Sequence, residues 1–177
     1  MNVAVLGSGS WATALAKIVM HNVAEINWYI RKQETIDEFR EIRRNPNHLE
    51  WAYFDISRIN FSADINQVLS EAELAILAVP SPYVKDVLAE ITVDMSQKKV
   101  ISAVKGMIPG DNILVTDYLH EHFHIPENNL GMITGPCHAE EIALERTSYL
   151  TIACPDREVG RMISSIVGGD YLRTSLS

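Results

Sequence analysis

Cysteine and basic residues are scarce in this chain and long apolar runs are missing, and each of these excludes a class of protein. There are 2 cysteines in 177 residues, too few for a disulfide-stapled secreted domain, so we expect reduced thiols. No apolar run approaches the roughly 20 residues that span a bilayer. Lysine and arginine total 15 against 23 acidic residues, a net charge of −8, which argues against a nucleic-acid partner. The chain enters an apolar segment at once, without a basic leader, so we expect a cytoplasmic location.

Short apolar segments alternate with helical patterns along nearly the whole chain. Their almost continuous apolar character is typical of strands buried on both faces of a parallel sheet. The strand-like segments are NVAVL, INWYI, ELAILAVP, KKVISAVKG, LGMITG and YLTIACP. The alternation predicts one α/β domain over residues 1–177, with an open, mostly parallel twisted sheet and helices on both faces. Residues 45–60, NPNHLEWAYFDISRIN, follow neither period, and we expect a long loop there with a short strand near Phe61.

The segment GSGSWATALA begins directly after the first apolar strand and opens the first helix. Its Gly-x-Gly-x-x-Ala spacing matches the fingerprint of dinucleotide-binding (Rossmann-type) sheets. There Gly7 permits a tight turn, Gly9 lets the backbone approach a pyrophosphate, and Ala12 allows close packing of helix and strand. Free N–H groups at the helix start then hold the anion. Ser10 and Trp11 are placed to contact or cover a phosphate, although simple core packing is an equal alternative for Trp11.

The end of the second strand bears on the choice of cofactor. A site for NAD(H) usually carries Asp or Glu about 20 residues beyond the glycines, to bind the ribose hydroxyls. Here the sequence has Arg31 and Lys32 instead. An arginine on a 2′-phosphate favours NADP(H), so we expect NAD(P)H with a slight preference for NADP(H). The alternative is that both side chains simply point into water.

Further candidates follow the other strands, since ligands of open α/β sheets bind at the carboxyl ends. Ser81 lies between two prolines beside the expected cofactor. The ammonium of Lys105 suits an anionic or carbonyl substrate, although a solvated strand cap is equally plausible from spacing alone. Cys137 next to His138 makes a poor nucleophile pair, because adjacent side chains rarely face each other. The spacing in HEHFH scatters its histidines on a helix, so we expect no metal site.

Several segments together resemble the N-terminal cofactor domain of NAD(P)-dependent glycerol-3-phosphate dehydrogenases. They are GSGSWATALA, the NPNHL loop, AVPS, AVKGM and GPCHAEEIA, in family order and over essentially the whole chain. The resemblance implies a homodimeric oxidoreductase that interconverts dihydroxyacetone phosphate and sn-glycerol 3-phosphate by hydride transfer with NAD(P)H, for phospholipid synthesis. The rival interpretations are a 3-hydroxy acid or 6-phosphogluconate-type dehydrogenase, a non-catalytic NAD(P)-sensing module, and a purely structural α/β domain.

The same resemblance assigns roles position by position. It implies cofactor contacts at Ser10, Trp11, Arg31, Lys32 and Ala139. It places Lys105 between cofactor and substrate as the catalytic residue, with Gly135 and Cys137 beside the substrate. The family usually has glycine at the position of Ala12 and Ser or Thr at that of Cys137, so this chain has no hydroxyl at residue 137 to contact the substrate. After GPCHAEEIA, the family's GxPT turn is replaced by ERTSYLT.

The family continues into a helical second domain with another lysine and the residues that grip the substrate phosphate. We therefore expect residues 1–177 to be the cofactor half of a truncated two-domain enzyme. Hydride transfer needs the substrate held against the nicotinamide, so we expect almost no turnover from this half alone.

Overall fold

The computed structural model describes residues 1–177 and contains one sheet of eight strands. In chain order the strands are β1 (Val3–Leu6), β2 (Ile26–Tyr29), β3 (Ile59–Ser62), β4 (Leu74–Leu77), β5 (Lys99–Ser102), β6 (Leu130–Thr134), β7 (Ser148–Ala153) and β8 (Leu172–Leu176). Their spatial order is β3-β2-β1-β4-β5-β6-β7-β8. The first six strands are parallel, β7 is antiparallel to β6, and β8 is parallel to β7. The predicted mostly parallel Rossmann-type sheet is confirmed. The chain adds β2 and β3 on one side of β1 and then crosses to the other side to add β4, so the strand order reverses between β1 and β4.

Helices cover both faces of the sheet, as the alternating pattern predicts. They are α1 (Ser10–Asn22), α2 (Gln33–Ile42), α3 (Ile65–Ser70), α4 (Val84–Ala89), α5 (Val115–Phe123), α6 (Ala139–Ala143) and α7 (Arg157–Val167). Successive residues of β1 point to opposite faces, so Val3 and Val5 join a core with α1, α2, α6 and α7. Ala4 and Leu6 join a second core with α3, α4 and α5. None of these helices is long and apolar enough to cross a membrane.

The structure differs from the sequence pattern at three places. The predicted strand KKVISAVKG is shorter, because β5 ends at Ser102 and Lys105 lies in the following loop. α3 spans only 6 residues and shows no helical period, so sequence reading passed over it. β8 was also missed, since it is an edge strand whose residues are mostly exposed. The long loop is followed by β3, which confirms the short strand near Phe61.

An aromatic cluster anchors the turn that follows β1. The ring of Trp28 lies 5.2 to 5.7 Å from the rings of Phe39, Phe54 and Phe61, in the offset and edge-on arrangements that aromatic rings prefer. Its indole Nε1–H donates to the carbonyl oxygen of Gly7 at 2.7 Å. The backbone of Gly7 is therefore fixed by a hydrogen bond from the hydrophobic core.

Gly7→Ala is expected to destabilise the fold strongly. Gly7 has φ of +124°, and a Cβ there would overlap the carbonyl oxygen of Ala78 and lie 2.9 Å from its carbonyl carbon. Backbone strain and overpacking together should lower the free energy of unfolding by about 3 kcal/mol or more, measured by urea titration. Gly169→Ala is the control, because a Cβ at Gly169 meets nothing within 4 Å. Equal unfolding free energies for the two variants would contradict the prediction.

Candidate functional site

A cavity of about 490 Å³ opens at the carboxyl ends of β1, β4, β5 and β6. This volume lies within the range of small-molecule and cofactor sites, and the position is where open α/β sheets bind ligands. The segments that line it are residues 9–12 after β1, residues 78–82 after β4, Ala103 and Lys105 after β5, and residues 138–140 after β6. Among the site residues predicted from the sequence, those on its wall are Gly9, Ser10, Trp11, Ala12, Ser81, Lys105 and Ala139.

The start of α1 presents unused hydrogen-bond donors to this cavity. The first helical hydrogen bond runs from Thr13 N to Gly9 O at 3.0 Å, and the N–H groups of Gly9, Ser10, Trp11 and Ala12 donate to no acceptor in the chain. No side chain caps the helix, because its N-cap residue is glycine. Four free N–H groups and the positive end of a 13-residue helix form a ready site for an anion such as a pyrophosphate.

Gly9 has no structural need to be glycine. Its φ of −76° suits any residue, and a Cβ at this position would meet nothing within 4 Å. The missing side chain keeps the wall of the cavity open directly over the free N–H groups. Gly7 differs, since it is buried, does not line the cavity and has a backbone conformation that requires glycine.

Lys105 stands over the ring of Trp11 within the cavity. Its Nζ is 5.2 Å from the indole centroid, a cation–π contact, and donates to the carbonyl oxygen of Cys137 at 3.4 Å. No carboxylate lies within 4.0 Å of this ammonium. The Trp11 ring also packs against the hydrophobic core, with a buried Nε1 that has no hydrogen-bond partner. Trp11 therefore packs against the core and also lines the cavity.

The segment before α6 is held by β7. Gly135 has φ of +145°, and a Cβ there would lie 2.9 Å from the carbonyl oxygen of Tyr149. The buried thiol of Cys137 donates to the same oxygen at 2.7 Å. Neither residue lines the cavity, and the group of Cys137 that faces Lys105 is its backbone carbonyl. The structure therefore gives this thiol a partner within the protein.

Arg31 and Lys32 lie apart from the cavity wall, just beyond the carboxyl end of β2. Both are exposed, and neither has a carboxylate within 4.0 Å of its charged group. Nearby, burial raises the pKa of Tyr29, and the carboxylate of Glu90, which accepts from its hydroxyl at 3.4 Å, raises it further. The positive charge of Arg31 opposes these effects. Strand β2 thus ends in two free cations on the side where a dinucleotide's ribose is bound in such sheets.

Two residues of the long loop reach the glycine-rich segment, and sequence reasoning did not single them out. Asn45 is completely buried and donates to the carbonyl oxygen of Ser8 at 2.9 Å. The Nδ1 atom of His48 lies 3.2 Å from the hydroxyl oxygen of Ser10. Both residues belong to the NPNHL segment. In the sequence analysis that segment supports the family resemblance but assigns no role to either residue.

The two weaker candidates from the sequence, the histidines of HEHFH and the Cys137–His138 pair, make other contacts in the structure. In HEHFH, His120 Nδ1 lies 2.8 Å from the carbonyl oxygen of Ile125, and the ring of His122 stacks on Tyr118 at 3.8 Å. The chain contains no group of three or more His, Cys, Asp or Glu side chains placed to hold a metal ion. His138 lies on the cavity wall, while the thiol of its neighbour Cys137 bonds to β7.

Comparison with known proteins decides the family. A model described as "NAD-dependent glycerol-3-phosphate dehydrogenase N-terminus" matches residues 2–160. The chain belongs to this family. The cofactor-binding role that the family description implies agrees with a cavity formed by the fingerprint glycines and the free start of α1. The family's name includes NAD, and its members found below carry the name NAD(P)+, so neither cofactor is singled out.

Curated relatives and solved structures cover the whole chain. Glycerol-3-phosphate dehydrogenases [NAD(P)+] of Exiguobacterium sp. and Staphylococcus carnosus are each 29% identical, over 99% and 97% of this chain and 52% of each relative. The Plasmodium falciparum glycerol-3-phosphate dehydrogenase structure is 27% identical with a TM-score of 0.90, over 100% of this chain and 52% of that one. The Saccharomyces cerevisiae enzyme, 20% identical with a TM-score of 0.86 over 99% of this chain and 56% of its own, shows the shared fold. The chain spans about half the length of the curated relatives it matches.

Proposed function

We propose that this domain binds NAD(P)H and, together with a substrate-binding domain, interconverts dihydroxyacetone phosphate and sn-glycerol 3-phosphate in the cytoplasm, for phospholipid synthesis. One observation carries the proposal. Four free N–H groups at the start of α1 and the ammonium of Lys105, which has no acidic partner, belong to residues that line the same cavity. The first set suits a pyrophosphate, and the second suits a carbonyl oxygen or a phosphate.

The residues present fit a nicotinamide dinucleotide. The bare Cα of Gly9 leaves room for a pyrophosphate over the N–H groups of residues 9–12. Ser81 and Ala139 line the same cavity as Lys105, and we assign them to the cofactor's side of the site. The bound cofactor supplies or accepts the hydride. Lys105 is then the group that stabilises negative charge on the substrate oxygen, and the backbone near Gly135 and Cys137 is the substrate's side of the site.

We further propose a slight preference for NADP(H). Arg31 and Lys32 are exposed, have no acidic partner within 4.0 Å, and follow the strand whose end faces the ribose in related sheets. A guanidinium forms strong charge-assisted hydrogen bonds with a phosphate. With no carboxylate at this position to accept from the ribose hydroxyls, the arrangement favours a 2′-phosphate.

The substrate domain is also part of the proposal. The relatives named glycerol-3-phosphate dehydrogenase are about twice as long as this chain, which covers 52% of them. We propose that residues 1–177 correspond to the cofactor-binding half of those relatives. We also propose that the two-domain enzyme is a homodimer, as the family resemblance implies.

A calorimetric titration of this chain with NADPH and, in parallel, with NADH tests the proposal. We expect both to bind, NADPH about tenfold more tightly, because one charge-assisted contact is worth about 1.5–3 kcal/mol. Arg31→Ala should remove that difference and leave NADH binding unchanged. Arg173→Ala, an exposed arginine on β8 far from the cavity, is the matched control and should change neither affinity.

The outcomes separate the two parts of the proposal. Equal affinities for NADPH and NADH in the unaltered chain would remove the NADP preference and keep the cofactor site. Absence of binding for both cofactors, from a sample with a cooperative unfolding transition, would overturn the proposed function.

A further inference from the structure

Asn45 uses every hydrogen-bonding group of its side chain, although it lies at the start of an irregular loop. Its Nδ2 donates to Ser8 O and to Thr13 Oγ1, both at 2.9 Å. Its Oδ1 accepts from the backbone N–H groups of Asn47 at 2.9 Å and His48 at 3.2 Å. An amide side chain offers two donors and two lone pairs, so the residue is saturated at zero solvent exposure.

Thr13 extends this network to the second glycine. It is also fully buried, accepts from Asn45, and donates its hydroxyl hydrogen to the carbonyl oxygen of Gly9 at 2.7 Å. Asn45 therefore holds the carbonyl of Ser8 directly and that of Gly9 through Thr13. These two carbonyls belong to consecutive peptide groups of the glycine-rich segment.

Fixing these carbonyls also fixes the direction of two N–H groups. In a trans peptide the C=O and the following N–H point in opposite directions within one plane. The Ser8 carbonyl shares its peptide with the N–H of Gly9, and the Gly9 carbonyl shares its peptide with the N–H of Ser10. Both N–H groups therefore point away from Asn45 and Thr13, and both belong to residues that line the cavity and donate to no acceptor in the chain.

We propose that Asn45 is a positioning residue for the cofactor: acting with Thr13, it aims the N–H groups of Gly9 and Ser10 at the pyrophosphate. This inference rests on the proposed function, because it assigns the anion to that site. Asn45 touches no ligand and works entirely through the orientation of the peptide groups. The bond between His48 and Ser10 adds a second tie between the same loop and the same helix start.

The experiment measures NADPH affinity by calorimetry and unfolding free energy by urea titration for Asn45→Ala, Thr13→Val, Thr13→Ser and the double variant Asn45→Ala/Thr13→Val. We expect Asn45→Ala to weaken NADPH binding about tenfold or more and Thr13→Val severalfold. Thr13→Ser keeps the hydroxyl and should restore affinity to within about twofold of the unaltered chain. The double variant should bind about as weakly as Asn45→Ala alone, since both changes break one network.

Asn66→Ala is the matched control. Asn66 likewise ties two segments together, donating to Glu90 O and accepting from the N–H groups of Thr92 and Val93, but it does so away from the cavity. The Asn66→Ala substitution should lower the unfolding free energy and leave NADPH affinity unchanged.

Three results would overturn the inference. One is a folded Asn45→Ala variant that binds NADPH within twofold of the unaltered chain. Another is an Asn66→Ala variant that loses as much affinity as Asn45→Ala, which would make affinity a consequence of overall stability. If Asn45→Ala does not fold, unchanged affinity of Thr13→Val decides against the network. Failure of the unaltered chain to bind NADPH is a different result, and it would remove the proposed function as well.

Discussion

A Gly9→Ser variant is expected to bind NAD(P)H about a hundredfold more weakly while keeping the stability of the unaltered chain. Serine is a better N-cap than glycine by a few tenths of a kcal/mol, because its hydroxyl accepts from the N–H at the second or third helical position. Here those positions are Trp11 and Ala12, whose N–H groups are free. The new side chain would occupy donors that the anion needs and place a Cβ in the open cavity.

Calorimetry for affinity and urea unfolding for stability, on the same samples, check this prediction. Gly9→Ala separates its two causes, since alanine adds the Cβ without the capping hydroxyl, and it should lie between serine and glycine in affinity. Gly169→Ser, a change at an exposed position, should have no effect on binding. Full NAD(P)H affinity in Gly9→Ser would show that the pyrophosphate does not bind at the start of α1.

Lys105→Met is expected to lower kcat/KM for dihydroxyacetone phosphate about a thousandfold in the protein that carries both the cofactor and the substrate domain. Lys105 is the sole lysine or arginine on the cavity wall, and no carboxylate lies within 4.0 Å of its ammonium. Methionine keeps the apolar stem over Trp11 and removes the charge that would stabilise the developing oxyanion. Since the side chain is exposed, the unfolding free energy should change little.

Steady-state kinetics with NADPH oxidation as the readout give the comparison. Lys85→Met is the control, because Lys85 is an exposed lysine whose charge is engaged by Asp111 at 2.7 Å and lies outside the cavity lining. The Lys85→Met variant should keep the kcat/KM of the unaltered protein. Unchanged kcat/KM in Lys105→Met would remove the catalytic role of Lys105.

The elements that sequence reading identified are those whose evidence is local. Strand β1 is buried at all four positions, so its apolar run was visible without knowledge of its neighbours. The elements it missed depend on context. α3 has three buried residues among six, which is too short for a period, and β8 depends on pairing with β7. Strand β5 ends three residues before Lys105, because hydrogen bonding between strands, and no property of the apolar run itself, sets where a ladder stops.

For the site, the sequence by itself determined the turn and helix start that the fingerprint glycines create. Backbone conformation and free helical N–H groups follow from residues next to each other in the chain. Tertiary structure alone decided which groups surround that start. Asn45 lies 37 residues from Ser8, to whose carbonyl oxygen it donates. Lys105 contacts Trp11 at the carboxyl edge of the sheet, and the thiol of Cys137 donates to β7. Such contacts depend on how strand order brings distant segments to one edge, and nothing in the local pattern of a loop encodes which buried partner its polar side chains will find.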